Sequence, residues 1–323
     1  MAQITYRQAI SDALWEEMER DERVFIMGQE VGVWGGTYAV TRGFYDHFGE
    51  KRVRDTPISE MVIAGAGTGA AMAGLRPVAE LMTINFAFLA LDAIVNHAAK
   101  VRYMFGGQMT VPLVIRTTTG GGRQLGATHS HSPEAIFAHF PGLIVVAPAS
   151  PYDAKGLLKA AIRDDNPVLF VEHSTLYQLR GEVPEEDYTV PLGTSDVKRE
   201  GDDVTLVAYS KMTQVALNAA EELAKEGISA EVVDLRTLRP LDMGPVLDSF
   251  RKTNRCVVVE EGWALYGVAA EIAARIQEES FDWMDAPVKR VSQADVPLPY
   301  SRELEQSALP DVENVVAAVR EVL

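Results

Sequence analysis

The chain has 323 residues, of which 47% are hydrophobic and 24% charged, a composition typical of a globular protein long enough to form two domains. Its 46 acidic and 30 basic residues give a net charge of −16, which disfavours binding to nucleic acid or to anionic lipid surfaces. Cys256 is the single cysteine, so an internal disulfide and a cysteine-based metal cluster are excluded.

Short β-branched runs alternate with helical patterns along the first half of the chain. The apolar runs predict buried strands at 24–27, 111–115, 143–146 and 168–171. The spacing of apolar residues predicts helices near 5–20, 61–75, 86–105 and 152–164. This alternation favours a parallel sheet with helices on both faces.

An acidic, aperiodic stretch separates this half from a second alternation. We expect a first domain at 1–185, a linker at 186–200 and a second domain at 201–323. In the second domain the pattern predicts strands at 204–208, 230–233, 256–259 and 288–291, with helices near 212–226, 241–250, 266–279 and 311–322. The predicted fold class is α/β, with two domains that each contain a mostly parallel sheet.

The N-terminal residues show neither an Arg-rich amphipathic presequence nor an apolar signal segment. No stretch reaches the roughly 18 uncharged apolar residues of a membrane-spanning helix. We therefore expect a cytoplasmic protein without a membrane partner.

The stretch 61–74 is rich in glycine and alanine, and Glu60 stands at its start. Glycines reduce helix stability, so their number predicts that another element, such as a neighbouring helix, approaches this helix closely. Glu60 is either an acid that acts on a ligand or a first-turn acid that complements the helix dipole. Spacing alone leaves both interpretations open.

The same stretch contains a pattern that suggests a different class of enzyme. Residues 65–70 satisfy the G-x-G-x-x-A form of the dinucleotide fingerprint, with 61–64 as a possible preceding strand. A self-contained NAD-dependent oxidoreductase is therefore an alternative. Pro57, Ser59 and Glu60 interrupt that strand, however, and Glu80 comes too early to be the expected ribose-binding acid.

A second glycine-rich loop, residues 117–132, follows the predicted strand at 111–115. It lacks the Gly-Lys-Ser/Thr of a phosphate-binding loop, but a long loop after a parallel strand lies where α/β proteins place their sites. His129 and His131 in this loop could act on a substrate as imidazoles, or be loop histidines without a role. A metal site is less favoured because the spacing offers no clear third ligand.

Several stretches taken together resemble the beta subunits of the thiamine-diphosphate-dependent, decarboxylating first component of 2-oxo-acid dehydrogenase complexes. The resemblance covers essentially the whole chain, and the order and spacing of the matching stretches make it specific. These stretches are residues 28–32, 54–60, 73–77, 129–135, 152–158, 161–167 and 234–238.

The resemblance implies roles for individual residues. Glu60 matches the glutamate that hydrogen-bonds the aminopyrimidine ring of thiamine diphosphate and promotes its imino tautomer. His129 matches a histidine on the substrate side of the thiazolium ring. The resemblance further implies four cofactor-binding residues besides Glu60, of which Met82 and Phe86 match positions that pack against the pyrimidine: Glu30, Ile58, Met82 and Phe86.

A structural potassium ion is also implied, held mostly by backbone carbonyls, and oxygen donors suit such a hard cation. The matching residues are Leu113, Ala161, Ile162, Asp164 and Asn166. The chain departs from the family at His131, where many relatives carry glutamine, and this leaves open whether that imidazole titrates in the site.

The family's diphosphate and magnesium site, a Gly-Asp-Gly with a downstream asparagine, lies on an alpha subunit, and no Gly-Asp-Gly occurs in this chain. The resemblance therefore implies an α2β2 heterotetramer in which thiamine diphosphate is shared and magnesium is held by the alpha subunit. The implied reaction is oxidative decarboxylation of a 2-oxo acid, pyruvate first, with acyl transfer to lipoyl on a transacetylase core. Branched-chain 2-oxo acids and acetoin are alternative substrates, and a non-catalytic docking subunit is a further alternative.

Overall fold

The computed structural model describes all residues, Met1–Leu323, as two compact units. The first unit comprises Met1–Thr119 and Ile136–Leu192, and the second comprises Gly120–Ala135 and Gly193–Leu323. The second unit therefore includes a segment that the predicted boundaries place in the first domain.

The strands of the first unit are β1 (Ala2–Thr5), β2 (Val24–Gly28), β3 (Val53–Asp55), β4 (Arg76–Leu81), β5 (Val114–Thr119), β6 (Ile144–Val146), β7 (Val168–His173) and β8 (Arg180–Val183). The helices from the N-terminus to Arg163 are α1 (Tyr6–Arg20), α2 (Phe44–Phe48), α3 (Glu60–Met72), α4 (Ala99–Met104), α5 (Glu134–Ala138) and α6 (Pro151–Arg163). Six of these strands pair in parallel in the order β6-β7-β5-β4-β2-β3, while β1 and β8 form a separate antiparallel pair.

The predicted strand at 111–115 is displaced, because β5 begins at Val114 and continues to Thr119. Threonine is β-branched and suits a strand, and its hydroxyl can be satisfied inside one: Thr118 donates to the Met82 carbonyl at 2.9 Å. The strand therefore includes three residues that the sequence analysis assigned to the loop.

One long helix was predicted at 86–105, but three short segments occupy this region. They are a 3-10 helix at Ile84–Ala90, a π-helix at Ala93–Ala98 and α4. In contrast, the glycine-rich stretch is continuous in α3, where 61–70 are all helical. This excludes the strand and the turn that a dinucleotide fingerprint requires, so that alternative is wrong.

At one position of α3, Gly67, close packing against neighbouring residues explains the glycine. A Cβ at Gly67 would lie 3.0 Å from Leu113 Cδ1 and 3.6 Å from Ala79 Cβ, so α3 approaches the sheet closely there, and its close neighbour is not a helix. Gly65 and Gly69 have no such neighbour within 4 Å, and they lie on an exposed face of α3 with Met61 and Val62.

The second unit contains β9 (Asp196–Arg199), β10 (Val204–Ala208), β11 (Ala230–Asp234), β12 (Thr237–Arg239), β13 (Cys256–Trp263) and β14 (Lys289–Gln293). Its helices are α7 (Lys211–Lys225), α8 (Gly244–Thr253), α9 (Val268–Ser280), α10 (Arg302–Ala308) and α11 (Val312–Val322). A five-stranded sheet has the order β14-β13-β10-β11-β9, with β9 antiparallel to β11 and the other pairs parallel. β9 thus belongs to a sheet although its residues lie in the predicted linker.

The predicted fold class is confirmed, since both units combine a mostly parallel sheet with helices. Taken one at a time, the helices are all too short or too polar to cross a membrane. One bent pair, Ile84–Ala90 with Ala93–Met104, meets the length and composition criteria.

Candidate active site

Three chain segments emerge together at one edge of the first sheet and form the candidate site. β3, β2 and β4 are parallel neighbours, so the residues that follow their carboxyl ends emerge at the same edge. These residues are Gln29 and Glu30 after β2, Thr56 to Glu60 after β3, and Met82 to Phe86 after β4. Helix α3 packs against both β4 and the 3-10 helix Ile84–Ala90, which brings the second and third segments together.

Glu60 is the first residue of α3 and is buried, with 4% of its surface exposed. Its Oε1 accepts a hydrogen bond from Gln29 Nε2 at 3.0 Å, and Gln29 is equally buried. A first-turn acid that only complements the helix dipole is usually exposed and needs no such partner. The burial of both side chains therefore favours a specific role for Glu60.

Gln29 is a residue that sequence reasoning missed. It lies within the stretch 28–32 that carries the resemblance, which assigns the cofactor contact to its acidic neighbour Glu30. In the structure Glu30 is exposed and has a φ of +56°, and the side chain that contacts Glu60 is the amide. The signal that could have identified Gln29 is its side-chain amide, which directly precedes the predicted acid Glu30 in the sequence.

The loop after β2 is fixed from both sides. The Asp55 carboxylate accepts the backbone N–H of Gly32 at 2.6 Å and of Val33 at 3.3 Å. A Cβ at Gly28 would lie 2.8 Å from the Glu80 carbonyl oxygen, and one at Gly32 would lie 2.9 Å from Asp55 Oδ2. Glycine at both ends of the stretch 28–32 lets the loop lie directly against β3 and β4.

The remaining predicted cofactor-binding residues differ in burial. Met82 and Phe86 are half-buried, which leaves part of a thioether and of an aromatic ring accessible for packing against a flat ring. Ile58 is 83% exposed. Thr56 Oγ1 and Asn85 Nδ2 are buried polar atoms without a hydrogen-bond partner in this chain, and such atoms can serve a bound group.

A buried ion cluster joins β4, β5 and β7. The Arg116 guanidinium contacts the carboxylates of Glu80 and Glu172, and Tyr177 donates its hydroxyl to Glu172 Oε2 at 2.7 Å. Burial raises the pKa of Glu172 although Arg116 opposes this. For Arg116 burial works in the opposite direction, but the two carboxylates outweigh it and raise the pKa of the guanidinium.

The two histidines of the glycine-rich loop belong to the second unit. His129 is exposed, and its Nδ1 lies 2.9 Å from Thr128 Oγ1. His131 is half-buried and packs edge-on against Trp263, with 5.5 Å between the ring centroids. Burial lowers the pKa of His131, because it disfavours the charged form of the imidazole. No group of three or more His, Cys, Asp or Glu side chains is arranged to hold a metal ion.

The residues predicted to hold potassium lie around the end of α6, apart from Leu113. Arg76 donates to the carbonyl of Ile162 at 2.8 Å and to that of Asp164 at 2.6 Å. Asn166 donates its backbone N–H and its side-chain amide to Asp164 Oδ1 at 2.7 and 2.8 Å. The Leu113 carbonyl accepts from Val168 N at 2.8 Å. Several of these oxygens thus already have a donor within the chain.

Comparison with known proteins places these features in a family context. The family model described as transketolase, pyrimidine binding domain, matches residues 2–180, and that described as transketolase, C-terminal domain, matches 193–315. A solved structure, a split-gene transketolase in an inactive β4 tetramer, superposes with a TM-score of 0.81 at 27% identity and covers 100% of this chain and 99% of that one.

Curated relatives match at higher identity. The mitochondrial pyruvate dehydrogenase E1 component subunit beta of Dictyostelium discoideum is 49% identical, over 99% of this chain and 91% of the relative. The corresponding subunit of Rickettsia felis is 50% identical, over 99% of this chain and 98% of the relative. That of Rhizobium meliloti is 49% identical, over 100% of this chain and 70% of the relative. Because the relatives are both bacterial and mitochondrial, a cytoplasmic location stays a prediction.

Proposed function

Since the chain belongs to the family of pyruvate dehydrogenase E1 component beta subunits, we propose that it supplies half of the active site of a thiamine-diphosphate-dependent pyruvate dehydrogenase. Its reaction is the oxidative decarboxylation of pyruvate with transfer of the acetyl group to lipoyl on a transacetylase core. Bound thiamine diphosphate supplies the nucleophilic thiazolium carbon for this chemistry.

The observation that carries the proposal is the buried pair of Glu60 and Gln29 at the carboxyl edge of the first sheet. Gln29 donates to Oε1 of Glu60, so Oε2 is the oxygen left to hold a proton toward a ring nitrogen of the pyrimidine. Met82 and Phe86 are half-buried on a neighbouring segment and suit packing against that ring. Glu30 and Ile58 are exposed and would contact the cofactor only where a further chain covers them.

In this proposal His129 binds the 2-oxo acid and the arriving lipoyl group. Its imidazole is exposed on a loop and can reach a ligand, which supports the role. A docking subunit without catalytic residues is a less favoured function, because it gives no reason to bury Glu60 at the start of α3 against an amide donor.

The diphosphate and its magnesium ion require an alpha subunit. This chain carries a net charge of −16, contains no Gly-Asp-Gly and has no cluster of acidic side chains arranged for a metal ion. Diphosphate is strongly anionic, so its charge must be balanced by groups outside this chain. The exposed apolar face of α3 begins beside Ile58 and Glu60, and an alpha subunit that covers it would also reach the cofactor. These features support an α2β2 heterotetramer.

Potassium is proposed at the oxygens of Leu113, Ala161, Ile162, Asp164 and Asn166, whose chemistry suits a hard cation. The Arg76 guanidinium competes for two of these carbonyls, although each carbonyl oxygen has a second lone pair. We expect the melting temperature of the full chain to be a few degrees higher in potassium chloride than in choline chloride at equal ionic strength. Equal melting temperatures would contradict the site and leave Arg76 as the group that satisfies these carbonyls.

The substrate is tested by steady-state rates of the chain reconstituted with its alpha subunit and a lipoylated acceptor. Pyruvate should give a kcat/KM at least about tenfold above that of a branched-chain 2-oxo acid or acetoin, which corresponds to a difference of about 1.4 kcal/mol in transition-state binding. A preference for either alternative would keep the reaction class and overturn the choice of pyruvate.

A further inference from the structure

The loop that carries both histidines, residues 120–135 and here called the histidine loop, contains four residues in the left-handed region of backbone conformation. Gly120, Gly122 and Gly126 have φ values of +89°, +95° and +77°, and the non-glycine residue Gln124 has a φ of +54°. A left-handed conformation at Gln124 is unfavourable and persists only where its surroundings impose it. The conformation at Gln124 therefore points to contacts from outside the loop that hold it there.

Glu261, on β13, holds the two ends of the histidine loop together. Its Oε1 accepts the backbone N–H of Gly121 at 2.7 Å and the hydroxyl of Ser132 at 3.2 Å. Its Oε2 lies 3.4 Å from the Lys211 ammonium, and the side chain is almost fully buried. A buried carboxylate forms stronger hydrogen bonds than a solvated one, so this residue closes the base of the loop.

Glu305, on α10, holds the opposite part of the loop. It is fully buried and accepts from the Gln124 backbone N–H at 3.2 Å and from the Gln124 side-chain amide at 2.6 Å. The same carboxylate thus binds the residue with the unfavourable φ. Tyr300 packs against Gly126 from a neighbouring segment, where a side chain at Gly126 would clash with its ring.

We infer that Glu261 and Glu305 are positioning residues that set the orientation of His129 through the histidine loop. His129 lies between their two attachment points, and its backbone N–H donates to the Gly126 carbonyl at 3.2 Å. The inference rests on the proposed role of His129 in binding substrate. A displacement of about 1 Å in a group that orients a substrate can cost roughly a hundredfold in rate, so loss of either carboxylate should act mainly on the substrate steps.

The direct test is hydrogen exchange of the full chain carrying Glu261→Gln or Glu305→Gln. Peptides within 120–135 should exchange at least about tenfold faster than in the wild type, because opening the loop no longer breaks charge-assisted hydrogen bonds. Glu278→Gln, an exposed substitution on α9 with the same change in charge, should leave these peptides unchanged. Unaltered exchange in both test variants would overturn the inference. This readout needs neither cofactor nor alpha subunit.

A double-mutant cycle with His129→Ala in the reconstituted enzyme tests whether the carboxylates act through His129. Each single Glu variant should lower the pyruvate kcat/KM by about tenfold, leave the exchange of the cofactor C2 proton unchanged, and cause no further loss when His129 is already alanine. Additive losses would overturn the inference. If His129→Ala alone left the substrate steps normal, the role of His129 would be wrong, while hydrogen exchange would still decide how the loop is held.

Loss of folding in a Glu variant would not leave the question open. Ser132→Ala and Gln124→Ala remove donors from the loop and keep both buried carboxylates in place. We expect these two variants to give smaller increases of exchange in the same peptides. Unchanged exchange in both variants would contradict the inference.

Discussion

Glu60 is held in position by segments that follow two different strands. It begins α3 after β3, while its hydrogen-bond partner Gln29 follows β2. Parallel pairing of β2 with β3 brings these two positions to one edge of the sheet, although 31 residues separate them in the chain. The geometry of the pair is thus a product of the sheet and not of local sequence.

Replacing Glu60 by glutamine should keep the fold and the assembly but lower turnover by about a hundredfold or more, a loss typical of removing a general acid or base. Glutamine preserves the size of the side chain but cannot release a proton to the pyrimidine. The measurement is the rate of C2 proton exchange of bound thiamine diphosphate, followed by NMR after quenching. Exchange at the wild-type rate would contradict the role of Glu60, and Glu278→Gln is the matched control.

Replacing Gln29 by methionine removes the amide that fixes the Glu60 carboxyl group while keeping a side chain of similar length. We expect C2 proton exchange to slow by about tenfold, since a hydrogen bond of this kind contributes about 1–2 kcal/mol. Gln277→Met is the control, because it makes the same substitution at an exposed position of α9. If Gln29→Met exchanged the C2 proton as fast as this control, the amide would have only a packing role.

At the scale of elements, the sequence predicted most strands and helices but missed several strands, among them the fully buried β4. Its six residues are all buried, yet Arg76, Pro77 and Glu80 interrupt the apolar run that identifies a buried strand. The reason these residues are tolerated lies elsewhere in the chain: Arg76 donates to carbonyls at the end of α6, and Glu80 contacts Arg116 on β5. Partners so distant in sequence cannot be read from a single segment.

Helix α9 begins against a buried carboxyl group, Glu260, and the ionisation of this group makes the stability of the folded protein depend on pH. Glu260 accepts from Ala269 N at 3.3 Å, and burial raises the pKa of Glu260 to about 7 from its ordinary value of 4.5. Between these two values the folded protein binds more protons than the unfolded chain, so this group lowers stability as pH rises from about 4.5 to about 7. The loss across that window is about 3 kcal/mol.

Glu260→Gln should remove this pH dependence, because an amide does not ionise. The free energy of unfolding is measured in urea from pH 5 to pH 8. The difference between the variant and the wild type should increase in favour of the variant as pH rises, and this difference should become constant above about pH 7. Curves that run parallel for the two proteins would contradict the assignment. Glu278→Gln should follow the wild type throughout.

For the whole molecule, the sequence predicted two α/β units correctly, while one loop belongs to a different compact unit from the strand it follows. Residues 120–135 follow β5 in the chain and were expected in the first domain, yet they belong to the second unit. The carboxylates that bind them, Glu261 and Glu305, lie more than a hundred residues further along the chain. No periodicity within a loop reveals such attachments, whereas the alternation of strands and helices needs only local pattern.

The chain purified alone should show no decarboxylation of pyruvate in the presence of thiamine diphosphate and magnesium, and activity should appear on mixing with its alpha subunit. The physical reason is that the residues proposed to bind the pyrimidine, Glu60, Met82 and Phe86, lie in this chain. For the diphosphate, in contrast, the chain contains neither a Gly-Asp-Gly nor a cluster of acidic metal ligands. Calorimetric titration of the isolated chain should accordingly show at most weak binding of thiamine diphosphate. In the mixture with the alpha subunit the dissociation constant should be at least about a hundredfold lower, which corresponds to a binding free energy more favourable by about 2.7 kcal/mol. An active preparation free of alpha subunit by mass spectrometry would refute the half-site proposal and require a complete site within this one chain.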